Sequence, residues 1–167
     1  YVPNGGDYYH FIKAYNNDVV PTEISSLRSP IIGYYGALHF TIDIDLITYV
    51  ARSHPELTII LIGQDDLKGY KNSEKLRENS NIHFLGKTDY RVLPKYVRAL
   101  DVVIFPYALD SKLYALPLKL FECLAAGKQI VSTPLPELLE YKEFQQMLVV
   151  YILQHKNNYI LQDYIFQ

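Results

Sequence analysis

Two residues in a short helical stretch have types and spacing that suit chemistry. Lys119 and Glu122 lie in PLKLFECLAAGKQIVSTPLP, three positions apart, so on a helix they share one face. A lysine in a first helical turn sits at the positive end of the helix dipole, where a cation is mildly disfavoured. An anion bound there removes the conflict, because free backbone N–H groups already point at it. A carboxylate among Leu, Phe, Cys and Ala can accept hydrogen bonds from two vicinal hydroxyls, such as those of a ribose. Spacing alone favours the plainer reading, a Lys119–Glu122 surface pair worth a few tenths of a kcal/mol.

The elements that must position this pair are legible around it. Val102–Phe105 is a short apolar strand closed by Pro106. Pro117 is placed to open the helix, with Leu118, Phe121, Leu124 and Ala125 as its expected apolar stripe. Gly127 suits a left-handed C′ position, and the β-branched Ile130 and Val131 follow as the next strand. Upstream, Ile31–Tyr35, Leu57–Ile62 and Ile82–Leu85 read as strands. Between them lie a helix capped by Asp43 or Asp45 and ended by Pro55, a charged helix near Ser73–Asn79, and a third over Leu93–Leu100. Glu137–Phe144 reads as helical and Met147–Tyr151 as a sixth strand. Strands alternating with helices at this spacing imply right-handed βαβ units and an α/β, doubly wound parallel sheet of Rossmann-like type. Such sheets bind ligands outside the strands' carboxyl ends. Gly36, Gly63, Gly86 and the loop before Leu118 all follow strands and should gather there.

Composition narrows the class. The chain has 167 residues, one domain's worth, and a net charge of −2, which gives no bulk attraction to nucleic acid. The single cysteine, Cys123, cannot form an internal disulfide, suits a reducing compartment, and reads as a small buried hydrophobe. No apolar run is long enough to span a membrane. The 16 tyrosines read as compositional bias. The five histidines lack metal-ligand spacing, and Ser25-Ser26 lacks a nucleophile-elbow context. Arg91, Lys95 and Arg98 form a basic stripe at helical spacing, either a solvated face or a contact for anionic lipid. Residues 1–30, punctuated by Pro and Gly, read as a linker with at most one short helix near Tyr8–Tyr15. Residues 31–151 form the domain, and residues 152–167 a tail placed as a terminal helix.

The segment PLKLFECLAAGKQIVSTPLPE closely resembles the nucleotide-sugar-binding motif of GT-B glycosyltransferases of the family 4, group 1 type, whose pattern is roughly P-x-K-x-F-E-Y-x-A-A-G-K-P-V-V-S-T. VPNGGDYYHF, IIGYYGALHFTIDIDLI, LTIILIG and NIHFLGKTDYRVLPKYVRALDVVIFP fall in the family's order. The resemblance thus covers about Tyr1 to Tyr151. It implies the C-terminal, donor-binding half of such an enzyme, which holds a UDP- or GDP-type sugar and uses no bound metal or other cofactor. The implied acceptor is a glycan or lipid-linked saccharide of polysaccharide biosynthesis, bound by an N-terminal domain at the cytoplasmic, inner face of the membrane. Because the chain opens without Met, that domain is expected to be missing, and this chain alone is expected to show little transferase activity.

The resemblance places Gly36, Gly86, Leu118, Lys119, Glu122 and Thr133 at the nucleotide-sugar site, with Glu122 on the ribose and Lys119 on the diphosphate; it assigns no catalytic residue. Leu85, Gly86 and Lys87 fall where relatives contact the nucleobase, and the Thr133 hydroxyl either reaches a phosphate or caps the next turn. Two departures stand out. Many relatives carry an Arg and a Lys after the first strand, where this chain has Ala37, Leu38, His39 and Phe40. The first Glu of the family's E-x7-E falls on Tyr114. Rival readings are a degenerate partner-binding module of the same fold and a nucleotide-sugar 2-epimerase. A receiver-like domain is disfavoured, because Asp65 and Asp66 follow the second strand rather than the first.

Overall fold

A computed structural model describes residues 5–15, 19–108, 118–139, 141 and 148–150. Six parallel strands make one sheet: β1 (Ile31–Tyr35), β2 (Thr58–Ile62), β3 (Ile82–Gly86), β4 (Val102–Phe105), β5 (Gln129–Ser132) and β6 (Leu148–Val150). Their order is β3-β2-β1-β4-β5-β6. The chain builds outward from β1 to β3, then returns to the other side of β1 at β4. That reversal is the topological switch point, and ligands of such sheets bind beside it at the carboxyl edge.

The strands form where apolar runs must be covered on both faces. All five positions of β1 and all five of β2 are buried, as parallel central strands require. Gly33 of β1 is glycine because Leu100 packs onto it: a Cβ there would lie 2.6 Å from both Leu100 methyls. At the amino edge, Asp101 fixes β1 against β4. Its Oδ2 accepts from the Ile31 N–H at 2.6 Å and its own N–H donates to the Ile31 carbonyl at 2.8 Å.

Of the two aspartates read as caps, Asp43 caps α3 (Ile44–Ser53), its Oδ1 accepting from the Leu46 N–H at 2.8 Å. The shorter helices α4 (Ser73–Arg77) and α5 (Leu93–Ala99) complete the crossovers as the sequence predicts. Helix α6 (Leu118–Ala125) follows β4, and α7 (Pro136–Leu139) follows β5. Pro117, Tyr114, the last part of the predicted Glu137–Phe144 helix and the predicted terminal helix lie outside the described residues.

Two readings of the sequence are corrected here. The stretch taken to hold at most one short helix holds two, α1 (Tyr8–Phe11), continued by a 3-10 turn over Ile12–Ala14, and α2 (Thr22–Ser25). Phe11, Ala14 and Ile24 from this stretch are buried in the same core as the strands, so apolar side chains spaced too sparsely to show a period still anchor it. The basic stripe also dissolves. Arg91 precedes α5 and folds back onto Asp89, Nη2 to Oδ2 at 2.5 Å, so it shares no helix face with Lys95 and Arg98.

One buried cation ties two crossovers together. Lys128, only 9% exposed, donates through Nζ to the carbonyls of Arg98 (2.8 Å) and Leu100 (2.6 Å) at the end of α5. A cation at a helix carboxyl end satisfies carbonyls that have no intrahelical partner. Lys128→Ala is expected to cost about 2 kcal/mol, typical of losing hydrogen bonds to a charged group. A urea unfolding curve should show this as a lower midpoint at unchanged slope.

Candidate functional site

Helix α6 turns an unexpected face inward. Leu120 and Cys123 are buried, Glu122 is only 9% exposed, and Leu118 is 49% exposed. The predicted apolar stripe holds in part, with Ala125 buried and Phe121 and Leu124 packed half-buried against the core, but the face bearing Lys119 and Glu122 also packs against the sheet, and the surface-pair reading is excluded. Tyrosines make this possible. Their rings supply apolar contact while their hydroxyls pair the two charged groups.

Lys119 reaches the carboxyl end of β1. Its Nζ donates to the Tyr34 hydroxyl at 3.3 Å and lies 4.8 Å from the centre of the Tyr34 ring and 5.8 Å from that of Tyr107. It rests on Gly36, where a Cβ would come within 2.5 Å of it. The ammonium thus occupies the approach over Gly36 that the sequence reserved for a phosphate. Burial lowers its pKa from the ordinary lysine value, and the charge of Glu122 opposes that shift.

Glu122 is held by two phenols. Tyr35 donates to Oε2 at 3.0 Å and Tyr90 to Oε1 at 3.3 Å. The Tyr35 hydroxyl also lies 3.3 Å from Cys123 Sγ. A carboxylate only accepts, so the Tyr35 proton serves Glu122 and the Cys123 thiol donates to Tyr35. Burial pushes the thiol up to about 12, which keeps it protonated for that role. Burial also raises the Glu122 carboxyl above the usual 4.5, while the two phenols and Lys119 pull it back.

The sign of that shift makes Glu122 a cost to the fold. A carboxyl whose folded pKa lies above its unfolded value stabilises below the unfolded value and loses that contribution as pH rises through the folded one. At neutral pH the ionised group is a net burden. Glu122→Gln is expected to raise the melting temperature by a few degrees at pH 7, with the gain shrinking as pH falls toward 4.5. Thermal melts at the two pH values check this.

Beside the pair opens a cleft of about 280 Å³, lined by Tyr35, Gly36, Gly63, Lys87, Thr88 and Leu93 among others. Its floor is made of close backbone. The Gly36 N–H donates to the Ile62 carbonyl and the Gly63 N–H to the Gly86 carbonyl, both at 2.8 Å. Gly36, Gly63 and Gly86 adopt φ of +134°, +149° and +72°, conformations that other residues rarely take. The loop after β1 is laced over this edge: Leu38 bridges to Asp65 and Ile42 to Tyr107.

The structure therefore brings Gly36, Lys119, Glu122 and Gly86 to one edge, with Leu118 exposed at the start of α6. Thr133 stands apart. It is buried, and its hydroxyl donates to the Tyr107 carbonyl at 2.9 Å and lies 3.3 Å from that of Phe105, so it ties the end of β5 to the end of β4 instead of facing outward. Sequence reasoning missed Tyr34, Tyr35, Tyr90 and Tyr107. The Tyr34-Tyr35 pair directly before Gly36 was the available signal, lost among 16 tyrosines. Among the described residues, no group of three or more His, Cys, Asp or Glu is arranged to hold a metal, and no helix is long and apolar enough to cross a membrane.

Comparison with known proteins follows the same lines. The family described as glycosyl transferases group 1 matches residues 29–154. A protein of Bacillus subtilis (strain 168) that carries the name of a teichuronic acid biosynthesis glycosyltransferase, TuaH, is 33% identical over 137 residues, 81% of this chain and 34% of that protein. The chain thus spans about a third of that relative's length. Among solved structures, WaaG, a glycosyltransferase involved in lipopolysaccharide biosynthesis, superposes with a TM-score of 0.62 at 17% identity, over 89% of this chain and 41% of WaaG. Anabaena Alr3699/HepE in complex with UDP gives 0.63 at 20% identity, over 89% and 42%. Sucrose-phosphate synthase from Thermosynechococcus elongatus gives 0.65 at 19% identity, over 89% and 38%. At such identities the superpositions establish the fold, that of GT-B glycosyltransferases, while the family match covers most of the sequence. The chain belongs to the group 1 glycosyltransferases.

Proposed function

We propose that this chain binds a nucleoside diphosphate sugar at the carboxyl edge of its sheet and presents it for transfer to a glycan or lipid-linked acceptor. One observation carries the reading: Lys119 and Glu122, three residues apart on α6, both turn inward at the switch point, beside Gly36 and an open cleft. A surface ion pair has no need of such burial. The Glu122 carboxylate accepts the ribose hydroxyls. Lys119 and the N–H groups at the start of α6 take the diphosphate and stabilise the charge that develops as the sugar leaves. The cleft lined by Lys87 and Thr88 takes the base.

The relatives support this assignment. HepE is described in complex with UDP and with UDP-glucose, which favours a UDP-type donor. TuaH is named for teichuronic acid biosynthesis and WaaG for lipopolysaccharide biosynthesis, which favours a cell-envelope glycan as acceptor, elongated at the inner face of the membrane. Acceptor binding falls to parts of such an enzyme that this chain does not contain, so transfer by this chain alone should be slow.

Calorimetric titration with UDP, GDP and ADP tests the reading. One of the three should bind, and Glu122→Ala should weaken it about ten-fold, the value of hydrogen bonds to a charged acceptor. Failure of all three to bind would overturn it.

A further inference from the structure

Neither phenol that holds Glu122 stands alone; both lean on the segment that leads into the domain. His10 stacks on Tyr90, ring centres 4.6 Å apart and 23° from parallel, and its Nε2 lies 2.7 Å from the Tyr90 carbonyl oxygen, to which it donates as the Nε2–H tautomer. Phe11, fully buried, touches both phenols. It stacks on Tyr35 at 6.3 Å and meets Tyr90 edge-on at 5.8 Å. The segment itself is pinned to α6. A Cβ on Gly6 would come within 2.8 Å of Phe121 Cβ and 2.9 Å of the Glu122 N, so only glycine fits there. The Asp7 carboxylate then accepts from the His10 N–H at 2.9 Å and fixes the turn that carries His10 and Phe11.

The arrangement has a geometric consequence for the carboxylate. Each oxygen of Glu122 has two acceptor positions, and Tyr35 and Tyr90 fill one on each. One position remains on each oxygen, the number that two adjacent hydroxyls of one ligand require. Tyr35 is fixed by β1. Tyr90 follows β3 in a loop, is 47% exposed, and owes its place to His10 and Phe11.

We propose that Tyr90 and His10 are positioning residues for the donor's ribose: the lead-in segment, residues 6–11, sets Tyr90, and Tyr90 sets the carboxylate. The proposal rests on the donor-site reading given above. It makes that segment part of the nucleotide site, so affinity for the ribose depends on how residues 6–11 lie.

The test compares a ribonucleotide with its 2′,3′-dideoxy counterpart, for whichever of UDP, GDP and ADP binds. Calorimetry would be run on the unsubstituted chain, Tyr90→Phe, His10→Ala and Glu122→Ala, with thermal melts to show that each is folded. Tyr90→Phe keeps the ring contacts and removes only the hydroxyl. It should lower ribonucleotide affinity about five-fold and leave the dideoxy compound unchanged. His10→Ala should show the same selective loss with the Tyr90 hydroxyl still present. Equal weakening of both compounds, or no weakening by Tyr90→Phe, would overturn the proposal. The two readings fail separately. If Glu122→Ala keeps the preference for the ribonucleotide, or nothing binds, the donor-site reading falls and this one with it. If Glu122→Ala loses that preference while Tyr90→Phe retains it, only the positioning role falls.

Discussion

Lys119→Ala is expected to lower affinity for the bound nucleoside diphosphate about thirty-fold while leaving the corresponding nucleoside within about two-fold, since hydrogen bonds from a charged donor are worth about 1.5–3 kcal/mol. The split follows from where the ammonium lies. It sits on Gly36 at the end of β1, a helical turn from Glu122. The loop after β1 supplies Ala37, Leu38, His39 and Phe40 and no Lys or Arg, which concentrates the charge requirement on this one side chain. Neutralising Lys119 should therefore erase most of the advantage of a diphosphate over a bare nucleoside. The same assignment fixes a pH dependence. Burial lowers the Lys119 pKa, so diphosphate affinity should fall at a lower pH than an ordinary lysine at 10.5 would give. On the acid side, the raised Glu122 carboxyl should begin to weaken binding above the usual 4.5. Titrations of nucleoside and diphosphate across pH separate the two limbs.

Gly63→Ala is expected to be the most damaging single-methyl change in the molecule. A Cβ at Gly63 would sit 1.9 Å from the Gly36 carbonyl oxygen and 2.6 Å from its carbon, and both obstacles are backbone. The φ of +149° adds strain of its own. Relief requires the ends of β1 and β2 to separate, at the expense of the Gly36–Ile62 and Gly63–Gly86 hydrogen bonds that floor the cleft. The cost should be about 3–4 kcal/mol, within the range of strained-backbone and overpacking changes. For a chain of this size that lowers the melting temperature by roughly 10 °C. Nucleotide binding should be lost even below the new melting point. At Gly36 the φ of +134° brings the same kind of backbone strain, but a Cβ there would meet chiefly the movable ends of Lys119 and Tyr34, so Gly36→Ala should cost less stability than Gly63→Ala while still disturbing binding.

These contrasts show what sequence carries and what it omits. The parallel sheet was legible because β1 and β2 are unbroken apolar runs and glycines punctuate their ends. Lys119 and Glu122 stood out by type, and the glycine-bearing strand ends pointed to the edge where they lie. The facing of α6 was not legible. Counting apolar residues selects Leu118, Phe121 and Leu124, whereas the helix buries Glu122 because two phenols, one from β1 and one from the loop after β3, hold it. Hydropathy cannot register a charge made tolerable by partners 32 and 87 residues away. The lead-in segment was hidden for a similar reason. Phe11 and Ile24 are single anchors without periodicity, and His10 gains its meaning only from Tyr90, 80 residues further along.

The most direct measurement is amide chemical-shift mapping of the isotope-labelled chain during titration with the nucleotide that binds. Shifts should cluster at the carboxyl edge, on Gly36, Gly63, Gly86, Lys87 and the first turn of α6, and the Tyr90 amide should move with them. Shifts centred on the opposite edge, near Thr58, Asn81 and Asp101, would contradict a donor site at Lys119 and Glu122.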